Sequence, residues 1–205
     1  QSYYTELAVA KMLVDINIKA KYDSNKVEEK ILNIEEKEGI VLDDLQRQAV
    51  IESISSGLII ITGGPGTGKT TTINTIIKYF ESEGESISLA APTGRAAKRM
   101  SEATSYEAKT IHRLLEITPN SSEISKNIGT HFERNEDNPL EADIIIIDEV
   151  SMLRADTLDM INTVLKSVRG SSAPFGGVQV LFIGDLLQLP PVVKPQEWEL
   201  LQQYY

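Results

Sequence analysis

The stretch IIITGGPGTGKTTT, Ile59 to Thr72, decides the fold. Apolar, β-branched residues run into a glycine-rich turn, and Lys69-Thr70 opens a helical segment. The spacing Gly63-x-x-x-x-Gly68-Lys69-Thr70 is that of a phosphate loop set between a strand and a helix. Each part has a chemical reason. Glycines permit backbone conformations closed to side chains and let N–H groups approach an anion. A helix starting near Lys69 aims its positive end at that anion, worth about 0.3–1 kcal/mol at a surface site. Lys69 is expected to reach β- and γ-phosphates, and the Thr70 hydroxyl to ligate Mg²⁺. The candidate nucleotide-binding residues here are Gly63, Gly64, Pro65, Gly66, Thr67, Gly68, Lys69, Thr70 and Thr71.

Outward from this loop, strand and helix patterns alternate. Strands are predicted at Leu58–Thr62, Ile87–Ala91, Asp143–Ile147 and Val178–Ile183. Helices are predicted at LDDLQRQAVIESISS, with Asp43 or Asp44 near its start, and at Lys69–Tyr79, Thr93–Ser101, Ile111–Ile117 and Ala155–Val168. The run DIIII does not alternate, as expected of a strand covered on both faces. Strands spaced by helices imply right-handed crossovers and a parallel sheet, so the fold class is α/β. Residues 1–38 read as a helical lead-in interrupted by a turn at Asp23-Ser24-Asn25, and Gly39 marks the boundary to the domain spanning 39–205. Thr118–Pro139 and Gly170–Gly177 read as loops.

Composition narrows the classes. The 205 residues suit one domain with a small appendage, and 41% hydrophobic with 24% charged residues is ordinary for a globular chain. No apolar run approaches the ~20 residues that cross a bilayer, and QSYYTELAVAKML lacks the pattern of a signal peptide, so no membrane partner is expected. The absence of cysteine excludes disulfides and thiolate metal sites and fits a cytoplasmic chain. The net charge of −10 argues against bulk nucleic-acid binding. Charge is segregated, however. From Gly94 to Arg113, Arg95, Lys98, Arg99, Lys109 and Arg113 face only Glu102 and Glu107.

Two further strand ends carry chemistry. IIIIDEVSM puts Asp148 and Glu149 at the C-terminal end of a buried strand, the edge where open α/β sheets bind ligands. Asp148 is placed to hold Mg²⁺ through water, and Glu149 to orient and deprotonate an attacking water. The plain alternative is that the pair caps the following helix. VQVLFIGDLLQLPPV repeats the arrangement with Gly184, Asp185 and Gln188. An uncharged glutamine at this edge can hydrogen-bond a γ-phosphate and report its presence.

With APTGRAAKR (Ala91–Arg99), TIHRLL (Thr110–Leu115) and RNEDNPLEADIIIIDEVSM in the same order, the chain resembles superfamily-one helicases of the RecD type over about residues 40 to 193. GGPGTGKTTT resembles their motif I, APTGRAAKR motif Ia, IIIIDEVSM motif II and GDLLQLPPV motif III. LDDLQRQAV resembles the Q motif, which implies that Gln46 reads adenine. Beyond Ser151-Met152 the text is more similar to Pif-type helicases, with PFGG before the last strand and PPVVK after it.

The resemblance implies a P-loop NTPase with a RecA-like sheet, ATP and Mg²⁺ as cofactors, and Lys69, Asp148, Glu149 and Gln188 as catalytic residues. Thr70 and Asp148 would be the metal ligands. It also implies a five-prime to three-prime single-stranded DNA translocase. On this reading residues 39–205 are the first motor domain. A second RecA-like domain, carrying motifs IV to VI and an arginine finger, lies outside these residues.

By the same resemblance Pro92, Thr93, Gly94, Arg95, Thr110, His112 and Arg113 line a single-strand channel, with N–H groups and hydroxyls on phosphates and Arg95 adding charge. Composition alone favours a solvated helix face for Arg95, Lys98 and Arg99, and reads His112 as readily as a packed histidine. Tyr3, Tyr4, Trp198, Tyr204 and Tyr205 read as packing or interface residues rather than as platforms for bases. A nucleotide-binding switch that contacts a protein partner through Thr118–Pro139 is the alternative function.

Overall fold

In the computed structural model, residues 21–116, 134, 138–185, 187 and 188 are described. The first 20 residues, most of Thr118–Pro139, the PPVVK segment and the five terminal aromatics named above lie outside them. The elements run α1 (Ser24–Glu38), α2 (Asp44–Ser55), β1 (Leu58–Thr62), α3 (Lys69–Ser82), β2 (Ile87–Ala91), α4 (Gly94–Thr104), β3 (Ala108–Thr110), α5 (Ile111–Leu114), β4 (Ile144–Ile147), α6 (Ala155–Arg169) and β5 (Gln179–Gly184). The five strands form one sheet in the order β1-β5-β4-β2-β3, and every pair is parallel. The parallel α/β expectation and the RecA-like P-loop fold therefore hold.

The central strands explain why DIIII lacks alternation. Ile144 and Ile146 of β4, with Leu181 and Ile183 of β5, enter one core with Val27, Ile31, Ile73, Ile76 and Ile77 from α1 and α3. Ile145 and Ile147, with Val180 and Phe182, enter a second core with Ile111, Ile161, Val164 and Leu165 from α5 and α6. All four isoleucines of β4 are at most 2% exposed. Burying one such side chain stabilises by roughly 1.5–3 kcal/mol, so both faces of this strand are committed to the fold.

Helix ends follow local chemistry. Asp43 and Gln46 form a capping box at α2: each side chain accepts from the other's backbone N–H, at 2.8 and 2.9 Å. Gly39 ends α1 in the left-handed region at φ 63°, which suits the residue without a side chain. Asp23 caps α1 by accepting from Asn25 and Lys26 N–H groups, so Ser24 and Asn25 belong to the helix and not to a turn. Other differences are of the same small kind. Thr93 caps α4 rather than starting it, and α5 ends at Leu114. The edge strand β3 is three residues long and is held by pairing with β2, a feature that the sequence pattern does not show. Within the Gly170–Gly177 loop, Pro174–Gly177 forms a 3-10 turn seated against α6.

Candidate nucleotide site and cationic edge

The phosphate loop leaves β1 at the C-terminal edge of the sheet, and the neighbouring strand ends close around it. The Gly63 N–H donates to the Gly184 carbonyl at 3.3 Å, tying the loop to the end of β5. A Cβ on Gly184 would meet the backbone nitrogen of Val150 at 2.9 Å, so only glycine lets β5 approach the turn after β4 this closely. Within the loop Gly66 and Gly68 take φ of 79° and 74°. Thr67 Oγ1 donates to the Gly64 carbonyl at 2.9 Å.

Residue types that fit a phosphate are in place. Gly68 is the N-cap of α3 and supplies no side-chain cap. Among the described residues, the N–H groups of Lys69, Thr70 and Thr71 take no backbone partner, whereas the Thr72 N–H returns to the Gly68 carbonyl at 3.1 Å. Unpaired N–H groups at a helix start, inside a glycine loop, are donors for an anion. The Lys69 ammonium folds over the loop and donates to the Gly63 and Gly64 carbonyls, the latter at 3.0 Å. The Thr70 side chain is exposed beside it.

Asp148 and Glu149 follow β4 directly, and the Asp148 N–H extends the ladder to the Ala90 carbonyl at 3.0 Å. Burial pushes the Asp148 carboxyl above the usual aspartate range. The Glu149 N–H, donating to Asp148 Oδ1 at 2.8 Å, opposes that rise, the Glu149 charge adds to it, and the nearby Lys69 ammonium opposes it. A half-buried carboxylate near an ammonium, at the strand end beside the phosphate loop, suits a cation that keeps several waters and phosphate oxygens, as Mg²⁺ does. Among the described residues there is no cluster of three or more metal-ligating side chains. Glu149 sits at φ 56°, ψ 42°, a left-handed conformation rare for glutamate. Its side chain caps no helix, and α6 begins only at Ala155, so the helix-capping alternative for this pair is not what the fold uses.

Gln188 is exposed at the same edge, where its N–H donates to the Asp185 carbonyl at 3.0 Å. Its side-chain amide lies 3.5 Å from Asp185 Oδ2. Gln46 is engaged within the protein: its Oε1 accepts from Asp43, and its Nε2 makes a long 3.4 Å contact to the Gly68 carbonyl.

The remaining predicted residues gather on neighbouring strand ends. Ala91 and Thr110 are register partners, so Pro92 and Thr93 beyond β2 lie beside Thr110 at the end of β3. The Thr93 and Thr110 hydroxyls cap α4 and α5, accepting from Ala96 and Arg113 N–H groups. Gly94, Arg95, His112 and Arg113 are exposed, which removes the packed-histidine alternative for His112. Lys98 and Arg99 are also exposed, and Lys98 lies 3.8 Å from Glu102. One edge of one sheet therefore carries both the anion cradle with its carboxylates, after β1 and β4, and a cationic rim after β2, the strand next to β4, and β3 beyond it.

Comparison with known proteins agrees with this arrangement. A family model described as "AAA domain" matches residues 46–194. The chain is 38% identical over 151 residues to the ATP-dependent RecD2 DNA helicase of Deinococcus radiodurans, covering 74% of this chain and 18% of that protein. It is 37% identical over 137 residues to the ATP-dependent DNA helicase Pif1 of a Psychrobacter species, covering 65% of this chain and 20% of that one. The crystal structure of a Bacteroides Pif1 helicase in complex with ADP-AlF3 and single-stranded DNA superimposes with a TM-score of 0.62 at 34% identity, over 81% of this chain and 37% of that one. The chain thus spans about a fifth of the length of these curated relatives.

Proposed function

Because this chain belongs to the AAA domain family and stands there with the RecD- and Pif-type helicases, we propose that it is the ATP-binding first motor domain of an ATP-dependent DNA helicase moving five-prime to three-prime on single-stranded DNA. The observation that carries this reading is the sharing of one sheet edge. The glycine cradle, the Asp148–Glu149 pair and Gln188 follow β1, β4 and β5, and the exposed Arg95, His112 and Arg113 follow β2 and β3.

In this reading the free N–H groups of Lys69, Thr70 and Thr71 bind the phosphates. Lys69 exchanges its loop carbonyls for phosphate oxygens and neutralises their charge. Thr70 and Asp148 would hold Mg²⁺, which would supply positive charge against the phosphates in the transition state. Glu149 orients the attacking water and accepts its proton. Gln188, on a turn held by Asp185, hydrogen-bonds the γ-phosphate region and transmits its presence along the edge. Gln46 contributes at the adenine side. Pro92, Thr93, Gly94, Arg95, Thr110, His112 and Arg113 take the phosphates of the strand. Completion of the site by a second RecA-like domain belongs to the same proposal.

The test is the affinity of the chain for a fluorescent oligothymidylate, with and without a non-hydrolysable ATP analogue and Mg²⁺. Single-strand binding that changes with nucleotide supports the motor. Nucleotide binding with no DNA affinity in either state contradicts it and favours a switch without motor action.

A further inference from the structure

The helix ahead of the phosphate loop is pinned by an ion pair with a buried carboxylate that no motif announces. Glu35 of α1 is 8% exposed, and both of its carboxylate oxygens are used. Oε1 accepts from the Leu42 N–H at 2.7 Å, and Oε2 from the Arg47 guanidinium at 2.6 Å. Arg47 reaches Glu28 with its other terminal nitrogen at 3.1 Å. Burial alone would raise the Glu35 carboxyl, but the Leu42 N–H and Arg47 outweigh it and hold it below the usual range. The pair therefore remains ionised at neutral pH.

What this pair holds is Gln46. Leu42 and Arg47 bracket the Asp43–Gln46 capping box, so Glu35 fixes the first turn of α2 from both sides. That turn presses the Gln46 carboxamide onto the phosphate loop. A Cβ on Gly68 would lie 2.0 Å from Gln46 Nε2, so the amide occupies the space beside the left-handed glycine that starts α3. The Gly68 carbonyl receives both Gln46 Nε2 and the Thr72 N–H.

We propose that Glu35 is a positioning residue for nucleotide binding: through Arg47 and Leu42 it seats Gln46 against Gly68 and thereby holds the anion-binding start of α3. The inference rests on the ATP-binding reading above. It makes α1 part of the frame of the nucleotide site. A charged pair suits the task because its geometry is narrow. Changing Arg47 leaves the buried Glu35 carboxylate with the Leu42 N–H alone, and changing Glu35 leaves the half-buried Arg47 with Glu28 alone, so in either case the α2 start loses its fixed register.

The experiment is titration of the 205-residue chain with a fluorescent ADP analogue and Mg²⁺, for wild type, Glu35→Gln, Arg47→Lys, Gln46→Ala and the Glu35→Gln/Gln46→Ala pair, beside thermal unfolding of each. Glu35→Gln and Arg47→Lys are expected to weaken binding roughly 5- to 30-fold, as for residues coupled in one network. In the Gln46→Ala background the Glu35 change adds no further loss of affinity, although it still lowers the unfolding temperature. A merely structural Glu35 would act independently of Gln46, multiplying the two losses, and that result overturns the proposal. Unchanged affinity in folded Glu35→Gln and Arg47→Lys overturns it as well while leaving the ATP-binding reading standing. No binding by folded wild type overturns both. Arg47→Lys keeps the charge and serves if Glu35→Gln does not fold.

Discussion

Replacing Gly68 by alanine tests the geometry of the phosphate loop directly. Gly68 has φ 74°, and an added Cβ would collide with Gln46 Nε2 at 2.0 Å and crowd its Cδ at 3.2 Å. Holding an L-residue in the left-handed region costs about 1–2 kcal/mol. Expelling Gln46 breaks the capping box of α2, worth about another 1 kcal/mol. The sum, about 2–3 kcal/mol, lowers the unfolding temperature of a chain this size by about 5–10 °C at roughly 2–4 °C per kcal/mol. Two controls separate the parts. Gly66→Ala (φ 79°) and Gly84→Ala (φ 81°) meet nothing within 4 Å, so both pay only the backbone cost. Circular-dichroism melting is expected to rank Gly68→Ala clearly below the other two. Adding Gln46→Ala to Gly68→Ala should cost little more, because the clash is gone. A Gly68→Ala protein that melts together with Gly84→Ala would refute the claim that Gln46 is packed against the loop.

Other perturbations follow from the same edge. Lys69→Ala is expected to abolish tight nucleotide binding, and normal affinity in calorimetry would remove the ammonium from the cradle. Glu149→Gln, in a chain that carries both motor domains, should bind nucleotide normally and lose turnover; near-normal hydrolysis would free Glu149 of its role. Asp148 has its folded pKa raised by burial, so the folded state retains its proton further up in pH than the unfolded chain. Its contribution to stability is thus lost as pH rises through that raised value. Asp148→Asn, which keeps an oxygen for the Glu149 N–H, should therefore melt higher than wild type at neutral pH without Mg²⁺ while losing Mg²⁺-dependent nucleotide affinity; a lower melting temperature would contradict the desolvation account. Arg95→Ala should weaken oligothymidylate binding and reduce the magnitude of its salt slope by about 0.7, the value for one phosphate contact on a single strand; an unchanged slope would make Arg95 part of a solvated face.

What the sequence made legible tracks how local the information is. The cradle is legible because glycines, lysine and threonine at fixed offsets perform one task within a single turn. Ile144–Ile147 is legible because two covered faces need an unbroken apolar run. Strand β3 is not, since Ala108-Lys109-Thr110 is too short to show a period and exists only by pairing with β2. The left-handed backbone of Glu149 is equally silent, because nothing in that residue type favours it. Resemblance points Gln46 toward adenine but is silent on its contact with Gly68, 22 residues away in sequence. The Glu35–Arg47 pair, 12 residues apart across two helices, is likewise created by packing rather than by any spacing rule.

The most direct test of the central claim is calorimetric titration of this chain with Mg²⁺-ADP and a non-hydrolysable ATP analogue, beside Lys69→Ala. The account predicts saturable binding of both ligands by wild type and its loss in the variant. A folded wild type that binds neither, or a Lys69→Ala protein that binds as well as wild type, would contradict it.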